Sequence, residues 1–217
     1  MKYLAILAML SFMTALSEGQ TKTRTAIPPA CTIAAASLPA IRGLRLGMTV
    51  SDLLAAFPEP SSKKAIEKAV SDAQKPDAYG FGRATLQSVP EVNPKFSGVL
   101  FVSIELMDGR LSSFRIDYLR GPEWKNADQF VSKLSDAFHL PPADRWRSAD
   151  LAQPYELNSP EFDNGVRILT CDGFTILATI NNGNGGSAIV VRNLAAKRIA
   201  DDREEAAKEK IRQAFKP

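Results

Sequence analysis

Leu100-Phe101-Val102-Ser103-Ile104-Glu105-Leu106 and Leu111-Ser112-Ser113-Phe114-Arg115-Ile116-Asp117-Tyr118, joined through Met107-Asp108-Gly109-Arg110, decide the fold class. Even-numbered positions carry most of the large apolar groups in both stretches, the period-2 pattern of half-buried strands. Two residues opposite each other in an antiparallel pair share a face, so the numbers of apolar partners here must sum to an even value. A two-residue Asp108-Gly109 loop makes that sum odd and sets Val102 against Arg115. The expectation is therefore a three-residue loop, Met107-Asp108-Gly109, with Gly109 left-handed, Val102 facing Phe114 and Leu100 facing Ile116. Phe101 and Arg115 would then meet on the other face. By the same rule, Val166, Ile168 and Thr170 match Phe174, Ile176 and Ala178 around a loop of Cys171-Asp172-Gly173. A further strand, Ala188 to Leu194, follows the polar loop Asn181 to Ser187.

Helices precede each group of strands. Thr49 is an N-cap, Asp52 at N3 can answer it, and Met48 with Leu53 can form a hydrophobic staple. Pro58 ends this helix after Phe57. Ser62 to Gln74 reads as a second helix, with Ile66, Ala69, Val70 and Ala73 inward and Lys63, Lys64 and Lys68 in water. A third begins after Asn126, with Gln129 at N3, a stripe of Ala127, Phe130, Val131, Leu134 and Phe138, and Pro141-Pro142 as its stop.

The fold class is thus α+β: helices packed on an antiparallel sheet, in a pattern that fits two similar tandem halves, 38–121 and 122–194. A charged helical tail follows over 195–217. Glu204 and Lys208 form a favourable i, i+4 pair there. Ile199, Ala206, Ala207 and Ile211 give the tail only a thin apolar face, which reads as a solvated helix or one that docks on a partner.

The beginning of the chain reads as an address. Lys2, the uncharged apolar run Tyr3 to Leu16, and the small residues Ala15 and Ser17 make residues 1–19 a secretory signal peptide, with cleavage before Glu18 or after Gly19. That run is too short to span a bilayer, and no later one approaches the roughly 20 residues required. The mature chain is expected to be exported, periplasmic or extracellular, and without a transmembrane segment. Residues 20–37, rich in Thr, Ala and Pro, read as a loose leader. Pro28-Pro29-Ala30 before Cys31 do not make a lipidation site. In an oxidising compartment the 2 cysteines, Cys31 and Cys171, are expected to form a disulfide.

Chemistry is sparse. The 217 residues are 45% hydrophobic and 24% charged, with a formal charge of +3, too little surplus to point to nucleic acid. The single histidine, His139, lies beside a helix C-terminus and reads as a cap rather than as part of a triad or zinc site. Cys171 at a turn has no histidine nearby in sequence, and no Cys-x-x-Cys occurs. Gly183-Asn184-Gly185-Gly186-Ser187-Ala188 satisfies G-x-G-x-x-A, but a strand follows it where a dinucleotide site needs a helix. Asp144, Asp150, Glu156, Glu161 and Asp163 gather in a proline-bearing stretch that reads as a solvated loop. Trp124 and Trp146 bracket the third helix, either as lids on the core or as a sugar-binding platform. No catalytic, cofactor-binding or metal residue is assigned and no cofactor is expected; the oligomeric state is left open.

Gly43-Leu44-Arg45-Leu46-Gly47-Met48-Thr49, Asp52-Leu53-Leu54 and Phe57-Pro58-Glu59-Pro60 resemble the opening of a known module. It is that of the small lipoprotein of the bacterial outer-membrane barrel-assembly machine and, more broadly, of the β-lactamase-inhibitor-protein-like fold. The resemblance implies helices on an antiparallel sheet, two such units in tandem in the inhibitor proteins, and protein binding in the cell envelope. The chain departs from that pattern in lacking the lipid-anchor cysteine, in Phe57-Pro58 where Leu-Gly is usual, and in its charged tail. The expected function is an exported, non-catalytic binding or scaffold protein of the envelope that recognises another protein. Two alternatives stand beside it. One is a hydrolase of envelope polysaccharide using Asp150, Glu161 and Asp163 with Trp146 as platform. The other is a small-ligand carrier with an apolar cavity between sheet and helices.

Overall fold

A computed structural model describes residues 31–57, 60–75, 77, 79–87, 94–118, 124–148, 165–181 and 186–215. Its centre is one antiparallel sheet of β1 (Phe81–Gln87), β2 (Val99–Met107), β3 (Arg110–Tyr118), β4 (Arg147–Ser148), β5 (Val166–Cys171), β6 (Phe174–Asn181) and β7 (Gly186–Asn193). The spatial order is β1-β2-β3-β7-β6-β5-β4. Helices α1 (Val50–Ala55) and α2 (Pro60–Ala73) precede β1, and α3 (Ala127–Phe138) precedes β4. A fourth, α4 (Leu194–Ala214), follows β7 directly. The expected α+β class, antiparallel sheet and C-terminal helix are therefore present. Counted from its helices, each half joins its second and third strands through an Asp-Gly turn. The second half adds β7, which pairs with β3 and closes the two into one sheet.

Both hairpins differ from the expected registers. Met107 faces Arg110, so the first loop is the two-residue Asp108-Gly109, with φ of 48° and 75°. Positive φ at both positions is the type I′ turn, whose twist matches that of the strands. The parity argument still holds, but a bulge satisfies it. Leu106 faces Leu111, Ser112 is the extra residue, and beyond it Ile104 faces Phe114 and Val102 faces Ile116. The Ser112 hydroxyl donates to the Glu105 carbonyl at 3.0 Å across the bulge.

In the second hairpin Cys171 faces Phe174 and Leu169 faces Ile176, so this loop is Asp172-Gly173. Leu169 and Cys171, rather than Val166, Ile168 and Thr170, share the face of Phe174, Ile176 and Ala178. Both faces of β5 carry apolar side chains, and alternation alone could not choose between them.

One face of the sheet is closed by α1, α2 and α3. Phe96, Phe114 and Phe174 are the largest of its fully buried side chains, joined by Ile104, Leu106, Ile116 and Leu169. The capping box of α1 forms as expected: the Asp52 N–H donates to Thr49 Oγ1 at 3.2 Å, and the Thr49 N–H donates to Asp52 Oδ2 at 3.0 Å. The Thr49 hydroxyl, donating to Asp52 Oδ2 at 2.7 Å, and then the Thr49 N–H hold the Asp52 carboxyl below the ordinary carboxylate range. Asn126 caps α3 by accepting from the Gln129 N–H. Ala127, Phe130, Val131 and Leu134 are buried beneath that helix. It stops at His139, left-handed at φ 53°, before the two prolines are reached. Val70 and Ala73 of α2 are buried as expected. β1 was not anticipated; Gly82 admits it, because a Cβ there would collide with the Ala73 carbonyl at the end of α2.

The segment expected to be a loose leader is fastened over residues 31–37. Cys31 and Cys171 are disulfide-bonded, with Cα atoms 4.6 Å apart and a sequence separation of 140. The Cys31 N–H donates to the Thr170 carbonyl, Ala34 bridges to Asp172, and a 3-10 turn follows at Ala35–Ser37. The signal peptide, its cleavage positions and the rest of the leader lie outside the described residues. No described helix is long and apolar enough to cross a membrane.

Candidate functional site

The sheet's other face carries a polar row that the pairing register assembles from strands far apart in sequence. Arg83 faces Glu105, Glu105 faces Ser113, Ser113 faces Arg192, and Arg192 faces Thr175. Because cross-strand partners share a face, these side chains form one line from β1 to β6. Arg83 Nε donates to Glu105 Oε1 at 2.8 Å.

Helix α4 roofs this row. The Leu194 N–H donates to the Gly173 carbonyl, and Asn193 Oδ1 accepts from the N–H groups of Ala195 and Ala196 at 2.9 and 3.1 Å. The helix therefore starts at the β6–β7 end and runs towards β1. There Arg203 donates to Asp108 at 3.0 Å and to the Tyr79 carbonyl at 3.3 Å. The expected solvated tail is thus docked over its first half. The residues it presents to the sheet include Ala196 and Ala200, whose small side chains leave a cavity of about 190 Å³.

Charges around the cavity are mostly spoken for. Glu105 binds Arg83, Asp201 binds Lys197 at 2.9 Å, and Glu204 binds Lys208 at 2.7 Å. The bond to Glu204 raises the Lys208 ammonium well above its ordinary range. The Arg192 guanidinium and the Ser113 hydroxyl, both lining the cavity, make no hydrogen bond or ion pair among the described residues. Tyr79 and Phe81 form its apolar wall, with the Arg83 guanidinium carbon 5.8 Å from the centre of the Phe81 ring.

A second polar cluster lies on the helix-packed face, where the two halves meet. Arg42, left-handed at φ 56°, sits 5.7 Å over the Tyr118 ring and donates from Nη1 to the Lys95 carbonyl at 3.0 Å. Tyr118 meets Phe130 edge-on, and Phe130 lies against Trp124. Burial pushes the Tyr118 hydroxyl pKa up, against the opposing pull of Arg42. Arg42 Nε and Trp124 Nε1 are buried without a hydrogen-bond partner among the described residues. This cluster links β3 to α3 through packed rings.

The residues singled out by sequence do not converge. His139 is the left-handed cap of α3. Trp146 is 5% exposed and donates to the Pro141 carbonyl, so it is a core lid and offers no platform to a sugar. Trp124 packs inward on Phe130. Asp144 is exposed in a 3-10 turn. Asp150, Glu156, Glu161 and Asp163 lie outside the described residues, as do positions 183–185 of the glycine-rich run; Gly186 to Ala188 begin β7. Among the described residues no three His, Cys, Asp or Glu side chains gather as metal ligands would. The cleft residues escaped sequence analysis because only the register unites them. The signal available was Arg192, a lone cation closing the apolar strand Ala188 to Val191.

Comparison with protein-family models, with curated proteins and with solved structures finds no match to this chain.

Proposed function

We propose that this is an exported, non-catalytic binding or scaffold protein of the cell envelope that recognises another protein through the free half of α4. One observation carries the reading. The helix face that meets the sheet through Ala196 and Ala200 continues, at i+3 and i+4 steps, as Ala207, Ile211 and Ala214 beyond the contacts of Arg203 with Asp108 and Tyr79. Ile211 is 71% exposed and Phe215 is 75% exposed. Glu204 is the last helical residue that lines the cleft, and at 1.5 Å per residue the helix from there to Ala214 adds roughly 15 Å. An amphipathic helix with its apolar stripe uncovered suits the groove of a partner. The apolar leader in the sequence and the disulfide support an exported setting. So does the resemblance of residues 43–60 to an envelope module.

The test places a photo-crosslinking side chain at Ile211 in cells that export the chain. A discrete protein adduct, absent when the probe sits at Lys133 on the outer side of α3 and lost on Phe215→Asp, supports the proposal. No adduct, or the same adducts from both positions, removes it.

A further inference from the structure

We infer that the cleft beneath α4 is a binding site for one carboxylate group borne on a short apolar body, with Arg192 and Ser113 as its receptors. This does not rest on the protein-recognition reading, which concerns the other half of the helix. Three features of the cleft combine.

The first is an excess of donors. Ser113 and Arg192 are direct cross-strand partners facing the cavity, and neither has an acceptor among the described residues. A guanidinium beneath a helix roof has lost part of its hydration, and a carboxylate restores that loss through charge-assisted hydrogen bonds. The second is charge. The Arg83–Glu105, Lys197–Asp201 and Glu204–Lys208 pairs cancel, leaving Arg192 as the one lining charge unmatched among the described residues. One positive charge ringed by three carboxylates suits a monoanion; a phosphate dianion would carry an uncompensated charge towards Glu105, Asp201 and Glu204. The third is shape. A cavity of about 190 Å³ between Phe81 and Tyr79 on one side and Ala196 and Ala200 on the other has room for an amino-acid-sized apolar body.

Such a carboxylate occurs on a free small acid or at the C-terminus of a peptide, and the experiment separates the two. The full mature chain, uniformly ¹⁵N-labelled, is titrated with benzoate, with an N-acetylated tetrapeptide ending in leucine, and with the same peptide amidated. Shifts of the backbone amides of Ser113, Arg192 and Ala196 are expected with benzoate, with the free-carboxyl peptide, or with both, which identifies the source. Arg192→Gln should weaken that binding roughly tenfold or more, as expected for a lost charge-assisted contact. Ser113→Ala should weaken it by a smaller factor, and Arg198→Gln, on the exposed side of α4, should leave it unchanged. Thermal melts of each variant show that it is folded. The inference is overturned if neither probe shifts these amides at millimolar concentration. It is equally overturned if the amidated peptide binds as well as the free one, or if Arg192→Gln binds like the parent protein.

Discussion

The two faces of the sheet are covered by helices of different character, and the contrast separates what holds the molecule together from what it offers to other molecules. On one side α3 contributes Phe130, Val131 and Leu134, which meet Phe114, Phe174 and their neighbours in a layer sealed from water. Each large apolar side chain buried there contributes about 1.5–3 kcal/mol. On the other side the strands mix Leu177 and Val190 with Thr175, Arg192 and the Arg115–Asp117 pair, bonded at 2.6 Å. The helix over that face, α4, meets it with alanines and is pinned at its far side by Arg203. Alanine excludes little water, so the second face keeps a cleft and the second helix keeps half its length free. Close packing and open chemistry have been allotted to opposite sides of the same strands.

The largest effects should come from the sealed side. Phe114→Ala, at 1% exposure, should cost about 4 kcal/mol by lost transfer and a residual cavity. Ser113→Ala, one residue away on the cleft side, removes a hydroxyl with no partner and should cost less than about 0.5 kcal/mol. Urea titrations of the two proteins measure the contrast directly; similar losses would mean that the two faces are not energetically distinct. Next comes the strap at the sheet's end. Replacing both Cys31 and Cys171 by serine should cost about 3–4 kcal/mol, since the bond closes a loop with a sequence separation of 140. The comparison is made between oxidised protein and the double variant, with equal stabilities as the contrary result.

Local rules made the sealed side legible. Thr49 and Asp52, Asn126 and Gln129, and the stripe from Ala127 to Leu134 each act within one helix, so spacing alone located them. Registers were harder, because a single inserted residue changes every pairing beyond it. Ser112 supplies that residue in the first hairpin, and nothing in Leu111-Ser112-Ser113-Phe114 distinguishes a bulge from a longer turn. In the second hairpin the two apolar faces of β5 gave alternation two answers. The cleft was beyond reach for a further reason. Arg83, Ser113 and Arg192 come together through three strand pairings, one of them between the two halves, and β1 carries too little periodicity to be recognised as a strand.

Smaller effects sharpen the same comparison at its margins. Thr49→Ala removes the N-cap of α1 and should cost about 1 kcal/mol. The loss should appear as faster hydrogen exchange of the amides of Asp52 and Leu53, with those of β7 unchanged in rank; uniform acceleration across the sheet would show that α1 is not a separable unit.

The smallest effect lies where the sealed face meets solvent. Arg167 on β5 holds Asp128 on α3 in a two-pronged pair, with Nε–Oδ1 at 2.6 Å and Nη2–Oδ2 at 3.1 Å. These hydrogen bonds, ahead of any other influence, lower the Asp128 pKa below its ordinary value. A carboxyl depressed on folding contributes its stability above the ordinary carboxylate range and loses it as pH falls through the depressed value. Asp128 is 56% exposed, so solvent screening keeps the contribution to about 0.5 kcal/mol. Asp128→Asn should therefore be less stable than the parent protein by that amount at pH 6. The two should converge as pH drops through and below the carboxylate range, and added salt at pH 6 should narrow the gap. A difference that persists unchanged in acid would show that the aspartate acts through packing of α3 on the sheet, and would extend the sealed face to the rim of that helix.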